Sequence, residues 1–254
     1  MNKIFRMDLH RLLHSRVFYV SIAFLIAMAV GQVMGGMSTT FDGLMGVATT
    51  GNPEEDFMSS AMGAGVIYIL LSIIIALFVC GDYSGGYAKN IFAVHSNPKD
   101  YIGGKMMSMA MASGFLLVLY TIVSMLTLAI SGYAVTLTGG ILGLIFFLIE
   151  KWLVSCALAA VVLLVAFFTR NIAWSLTAGF LIATGGLTMG VALFAEAFNL
   201  GWIEDVFSVT VSGAAKICTM TFDPIIFLRV LLTSAVWGGA ACFLGRKVLL
   251  TKDI

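Results

Sequence analysis

Six stretches of this chain are each long and apolar enough to cross hydrocarbon, and that constrains its fold more than any other feature. They run from Val17 to about Met34, from about Ala61 to Cys80, from about Met106 to Ile130, within Gly140 to Phe168 (mainly 148–168), from Ile172 to Phe194, and from about Ile226 to Gly245. A helix needs roughly 20 largely apolar residues to span a bilayer. Backbone polar groups must pair within the segment when no water is present, so helix is the expected spanning element. The expected fold is an all-α integral membrane protein with six transmembrane helices, in a single transmembrane domain over 1–254. Composition agrees: charged residues are 11% of the chain, against roughly a quarter in a soluble domain. The stretches between spans are too short to hold a core of their own.

Positive charge is distributed unevenly about these spans. Lys3, Arg6, Arg11 and Arg16 precede the first, and Lys89, Lys99 and Lys105 lie between the second and third. Arg170 separates the fourth from the fifth, and Arg246, Lys247 and Lys252 follow the sixth. In a six-span chain all of these fall on one side. The stretch between spans one and two carries Asp42, Glu54, Glu55 and Asp56 without a lysine or arginine. The positive-inside rule then puts both termini in the cytoplasm of a cell-membrane protein. Residues 1–16 read as an interfacial elbow helix, with Phe5, Leu9, Leu12 and Leu13 on one face and Lys3, Arg6, His10 and His14 on the other. That patterning favours a retained segment over a cleaved signal peptide, although Ala27-Met28-Ala29 has the small-residue form of a cleavage site.

Several local patterns imitate chemistry. His10 and His14 have zinc-protease spacing, but Arg11 stands where the general-base Glu is required. Gly103-Gly104-Lys105 ends like a phosphate loop, yet Lys99 and Met106 occupy the positions of its first glycine and its Ser or Thr. Ser84-Gly85-Gly86 has no nucleotide-binding domain around it. Cys80, Cys156, Cys218 and Cys242 are scattered, without a CxxC pair or a neighbouring His. No basic stripe suited to nucleic acid is present. No span contains a histidine, so an enzyme is the weakest reading and no cofactor or metal site is expected in the chain. The spacings Gly31 to Gly35 and Gly186 to Gly190 are candidate close-packing faces, between copies or within one.

Two further regions are candidate functional positions. Glu150 and Lys151 lie about one span-length before Arg170, near the outer membrane boundary and beside Trp152. They read either as an interfacial anchor in the aromatic belt or as part of a substrate pathway or outer gate. The segment from Glu196 to Asp223 contains Glu204 and Asp205, which would also serve an outer gate. Its middle, 207–220, is apolar enough to suggest a re-entrant or interfacial piece.

The stretch after span two reads Asp82-Tyr83-Ser84-Gly85-Gly86-Tyr87-Ala88-Lys89-Asn90, continues through His95-Ser96-Asn97-Pro98-Lys99-Asp100-Tyr101, and ends at Lys105. It resembles the permeases of ABC-2 type exporters, in which an acidic-aromatic pair leaves span two, a glycine and a lysine-asparagine step follow, and a basic residue re-enters span three. Gly86 stands where that family often has a Gly-Thr step, and Lys99 where it often has arginine. The short length and bare loops are similar to the small permeases of bacterial peptide transporters, including those that protect against antimicrobial peptides. The resemblance implies a dimer of this chain or of related permeases, with two ABC ATPase subunits that bring ATP and magnesium. It makes 82–104 a cytoplasmic coupling loop, with Tyr87 to Val94 its main coupling helix. Asp82, Gly86, Tyr87, Lys89, Asn90 and Arg170 would be the ATPase-coupling residues. The alternatives are a stand-alone secondary transporter and a non-transporting peptide-binding or sensory subunit.

Overall fold

The computed structural model describes residues 2–34, 65–94, 98–131, 139–186 and 210–251, with single positions at 190, 193 and 198. Most of these residues are helical, and no strand occurs among them. In chain order the helices are α1 (Asn2–Leu13), α2 (Arg16–Met34), α3 (Gly65–Ser84), α4 (Tyr87–Val94), α5 (Pro98–Ile130), α6 (Gly140–Thr169), α7 (Ile172–Ala183), α8 (Val211–Ile217) and α9 (Pro224–Thr251).

Four of these, α3, α5, α6 and α9, are long and apolar enough to cross a membrane. The pair α1 and α2, bent by 56° at their junction, makes a fifth when taken as one element. The remaining expected span corresponds to α7, whose twelve described residues are apolar but too short to cross. Buried hydroxyls inside the long helices bond to carbonyls one turn back, as Ser72 does to Tyr68 (2.8 Å), Thr121 to Leu117 (3.0 Å) and Thr127 to Val123 (2.8 Å). Each such bond satisfies a donor that lipid could not.

Helix α6 is the hub, packed against α9, α3, α5 and α7. It ends at Arg170, which takes a left-handed conformation (φ 51°) and donates its N–H to the Ala166 carbonyl. Asn171 then caps α7, its side chain accepting from the Ala173 N–H at 2.9 Å. The chain thus reverses within two residues. The closest helix approaches lie elsewhere than the Gly31 and Gly186–Gly190 positions, where an added Cβ would meet open space or ordinary contact, and Gly35 is outside the described residues. Gly179 of α7 lies so near α3 that a Cβ would sit 2.6 Å from that of Ser72, and at Gly139 and Gly143 it would strike the Met220 carbonyl.

The structure redraws three boundaries. Helix α5 starts at Pro98, eight residues before the expected third span, because proline in a first turn gives up no helical hydrogen bond. Helix α6 runs unbroken from Gly140, so the apolar stretch 141–149 belongs to the same long helix as the span. The described part of the expected coupling loop 82–104 is mostly helical: it is the end of α3, a two-residue turn at Gly85-Gly86, all of α4 and the start of α5, with 95–97 outside the described residues.

Candidate functional site

The densest polar cluster lies where α1, α3, α4 and α5 meet. Lys105 of α5 is fully buried, and its ammonium reaches Asp8 Oδ1 of α1 at 3.0 Å and pairs with Asp82 Oδ2 of α3. Arg11 of α1 donates from Nη2 to Asp82 Oδ1 at 2.8 Å, and its Nη1 lies 3.7 Å from Asp8. Two buried carboxylates and two cations thus cancel in charge, the condition under which ionised groups tolerate burial. Aromatic rings enclose them. The Arg11 guanidinium sits 3.6 Å from the centre of the Tyr87 ring, and the Lys105 ammonium 4.1 Å from that of Phe78. Tyr101 donates to Asp82 at 3.4 Å, and Tyr87 of α4 to Asp8 at 3.3 Å. Asp8 Oδ2 has no hydrogen-bond partner. Burial pushes the Asp8 carboxyl above its ordinary range, against the pull of Lys105.

Of the expected coupling residues, Asp82 and Tyr87 belong to this cluster. Gly86 makes the α3–α4 turn at φ 72°, a conformation glycine adopts at no steric cost. Lys89 and Asn90 face outward from α4, whose other side buries Ala88 and Ile91. Arg170 is not in the cluster but next to it: its guanidinium lies 5.0 Å from the Tyr83 ring, joining the α6–α7 turn to the end of α3. The sequence reading missed Asp8 and used Arg11 only as one of the charges that set topology. The buried stripe is Ile4, Asp8 and Leu12, whereas Leu13 is 37% exposed. The signal was present, since an acid spaced by four from apolar residues on either side lies on their face.

A second polar site lies on α6. Glu150 and Lys151 are each 2% exposed. This corrects the reading of Glu150 and Lys151 as an interfacial anchor, because protein covers both. Lys151 donates to the Ala215 carbonyl at 3.0 Å, placing a cation at the C-terminal end of α8, where a helix is electronegative. Glu150 faces the Cys218 thiol. Trp152, 38% exposed, turns the other way and donates its indole N–H to the Ala110 carbonyl at 2.8 Å. Helix α8 itself, capped by the Thr210 hydroxyl at 3.1 Å from the Gly213 N–H, buries Val211, Ala214 and Ala215. Its Ser212 bonds to the Ile182 carbonyl of α7 at 3.0 Å. The part of segment 207–220 that is described is therefore docked on α6, α7 and α9. Glu204 and Asp205 lie outside the described residues.

No family model and no curated protein matches this chain significantly. The long apolar helices mark a membrane-embedded protein.

Proposed function

We propose that this chain is the permease subunit of an ATP-driven ABC-2 type exporter. In this reading six spans leave both termini on the cytoplasmic side of the cell membrane, and the chain works as a pair of permeases above two separate ATPase subunits. The observation that carries this reading is the mounting of α4. A short helix with an outward polar face (Lys89, Asn90) is tied to α3 by two glycines. It is also pinned, through Tyr87, to the buried charges of α1, α3 and α5. A push on α4 from an ATPase would reach three long elements through bonded contacts, biasing a packed two-state assembly. Arg170, stacked on Tyr83, supports a smaller second contact at the α6–α7 turn. ATP and magnesium belong to the partner. The cargo class that fits the family resemblance is a peptide or other amphipathic molecule leaving a bacterial cell.

The test is affinity purification of the tagged chain in mild detergent, with mass spectrometry of the proteins retained. An ABC ATPase at about one copy per chain, lost when residues 87–94 are scrambled, is the expected result. A clean permease from cells that express such ATPases would reject it.

A second reading, an ion-coupled secondary transporter, is favoured by Glu150 and Lys151, because ionisable groups buried within a span are otherwise costly. It predicts gradient-driven cargo flux in proteoliposomes containing this chain alone, abolished in Glu150→Gln.

A further inference from the structure

The outer face of α1 carries a pair of side chains that neither the buried charge cluster nor the proposed coupling helix uses. His10 stands in its last turn and His14 directly after it, both exposed. Residues four apart on a helix lie one above the other on the same face. The His14 backbone N–H donates to the His10 carbonyl at 3.1 Å, so the helical geometry continues through the pair. The two imidazole rings meet edge to face, with their centres 4.1 Å apart. Two ring nitrogens on one ion, each at roughly 2.0–2.1 Å, put the ring centres roughly 4.5–5 Å apart. A small rotation of two exposed side chains therefore converts the stack into a chelate.

A second observation prepares one ring for a metal. His14 Nδ1 lies 2.9 Å from the His10 carbonyl oxygen. A carbonyl only accepts, so Nδ1 carries the proton, and in the neutral ring Nε2 keeps its lone pair. Donating one N–H to a backbone carbonyl while the other nitrogen takes the ion is the usual arrangement of a metal-bound histidine. Arg11 follows His10 in place of a glutamate, which removes the general base of a peptidase but neither imidazole. Its side chain turns inward to Asp82 and leaves the outer face clear. Arg6 lies one turn before His10 on that face and Arg16 opens α2, both exposed. Exposed charges of this kind repel a cation only weakly at physiological salt. No third His, Cys, Asp or Glu joins the pair among the described residues, so water fills the rest of the coordination shell.

We propose that His10 and His14 form a two-histidine site for one divalent transition cation of the nickel, copper and zinc group, for which imidazole is a fitting ligand. The ion bridges the end of α1 on the side opposite the buried Asp8, just before the chain bends by 56° into α2. Ligation there clips the turn that also carries Arg11. It stiffens the bend from outside while the buried charges hold it from inside. The site is independent of the exporter reading.

The test is isothermal titration with zinc chloride of the full chain, purified in detergent without a polyhistidine tag. The expected result is about one ion bound per chain, with a melting temperature that rises as metal is added. His10→Gln and His14→Gln should each lose saturable binding. The double variant Met7→His, His10→Gln keeps two histidines on the exposed face but sets them two turns apart, and it should not bind. Cys242→Ser, which removes the exposed thiol of α9, should bind as the wild type does. Each altered position is exposed, so every variant should melt with the metal-free wild type. No binding to the wild type, or binding that survives in either single variant or in the respaced one, overturns the proposal.

Discussion

Lys105 illustrates how much a single membrane-boundary side chain can determine. It is the shared partner of Asp8 and Asp82, so Lys105→Met leaves two buried carboxylates with one arginine. Breaking a buried pair from one side costs about 3–5 kcal/mol. Thermal unfolding in detergent should show that loss, and Asp8→Leu added to Lys105→Met should return part of it by removing the stranded charge. Asp8 also gives the cluster a pH signature. Its carboxyl is raised on folding, so its stabilising share is complete below the ordinary carboxylate range and fades as pH rises through the raised value. Melting temperature should fall more steeply with pH across that window in the wild type than in Asp8→Asn. Asp82, Tyr87 and Lys105 were legible as a motif because they lie close together in sequence. Asp8 was not, because its partner is 97 residues away and one acid in a basic helix reads as a solvated charge until the opposite helix is in place.

At the scale of elements, apolar length alone located the long helices, because the hydrocarbon thickness sets how many residues each needs. Their ends were less legible, since caps and first turns are decided by local groups such as Pro98, Arg170 and Asn171 rather than by hydropathy. Glycine spacing left the contacts open for a related reason: a spacing shows which glycines share a face, but not whether a neighbour lies on it. Gly179 is where the approach is real. Gly179→Ala should force α7 from α3 at a cost of roughly 1–3 kcal/mol, read as a lower melting temperature. Ser72→Gly in the same chain should recover most of it, because Ser72 supplies the atoms in the way. Gly143→Ala would press on the Met220 carbonyl. It should loosen the α8 segment, seen as faster hydrogen exchange over 211–217 with little change in α3.

For the whole molecule, cysteine chemistry maps inside from outside without any cargo in hand. Cys80 and Cys218 are buried, whereas Cys242 is exposed on α9, the least covered of the long helices. A membrane-permeant maleimide applied to the folded protein in detergent should therefore label Cys242 and leave Cys80 and Cys218 untouched until denaturant is added. Peptide mass spectrometry reads all three at once. The same molecule-wide view gives the Gly85-Gly86 turn a mechanical meaning. Two residues offer only two soft dihedrals each, and Tyr87 is already held at the first position beyond them. Helix α4 has little freedom left to swing or twist on its own. It is less a tethered arm than a short crank, and a torque applied to its outer face has few internal degrees of freedom in which to be lost before it turns α3.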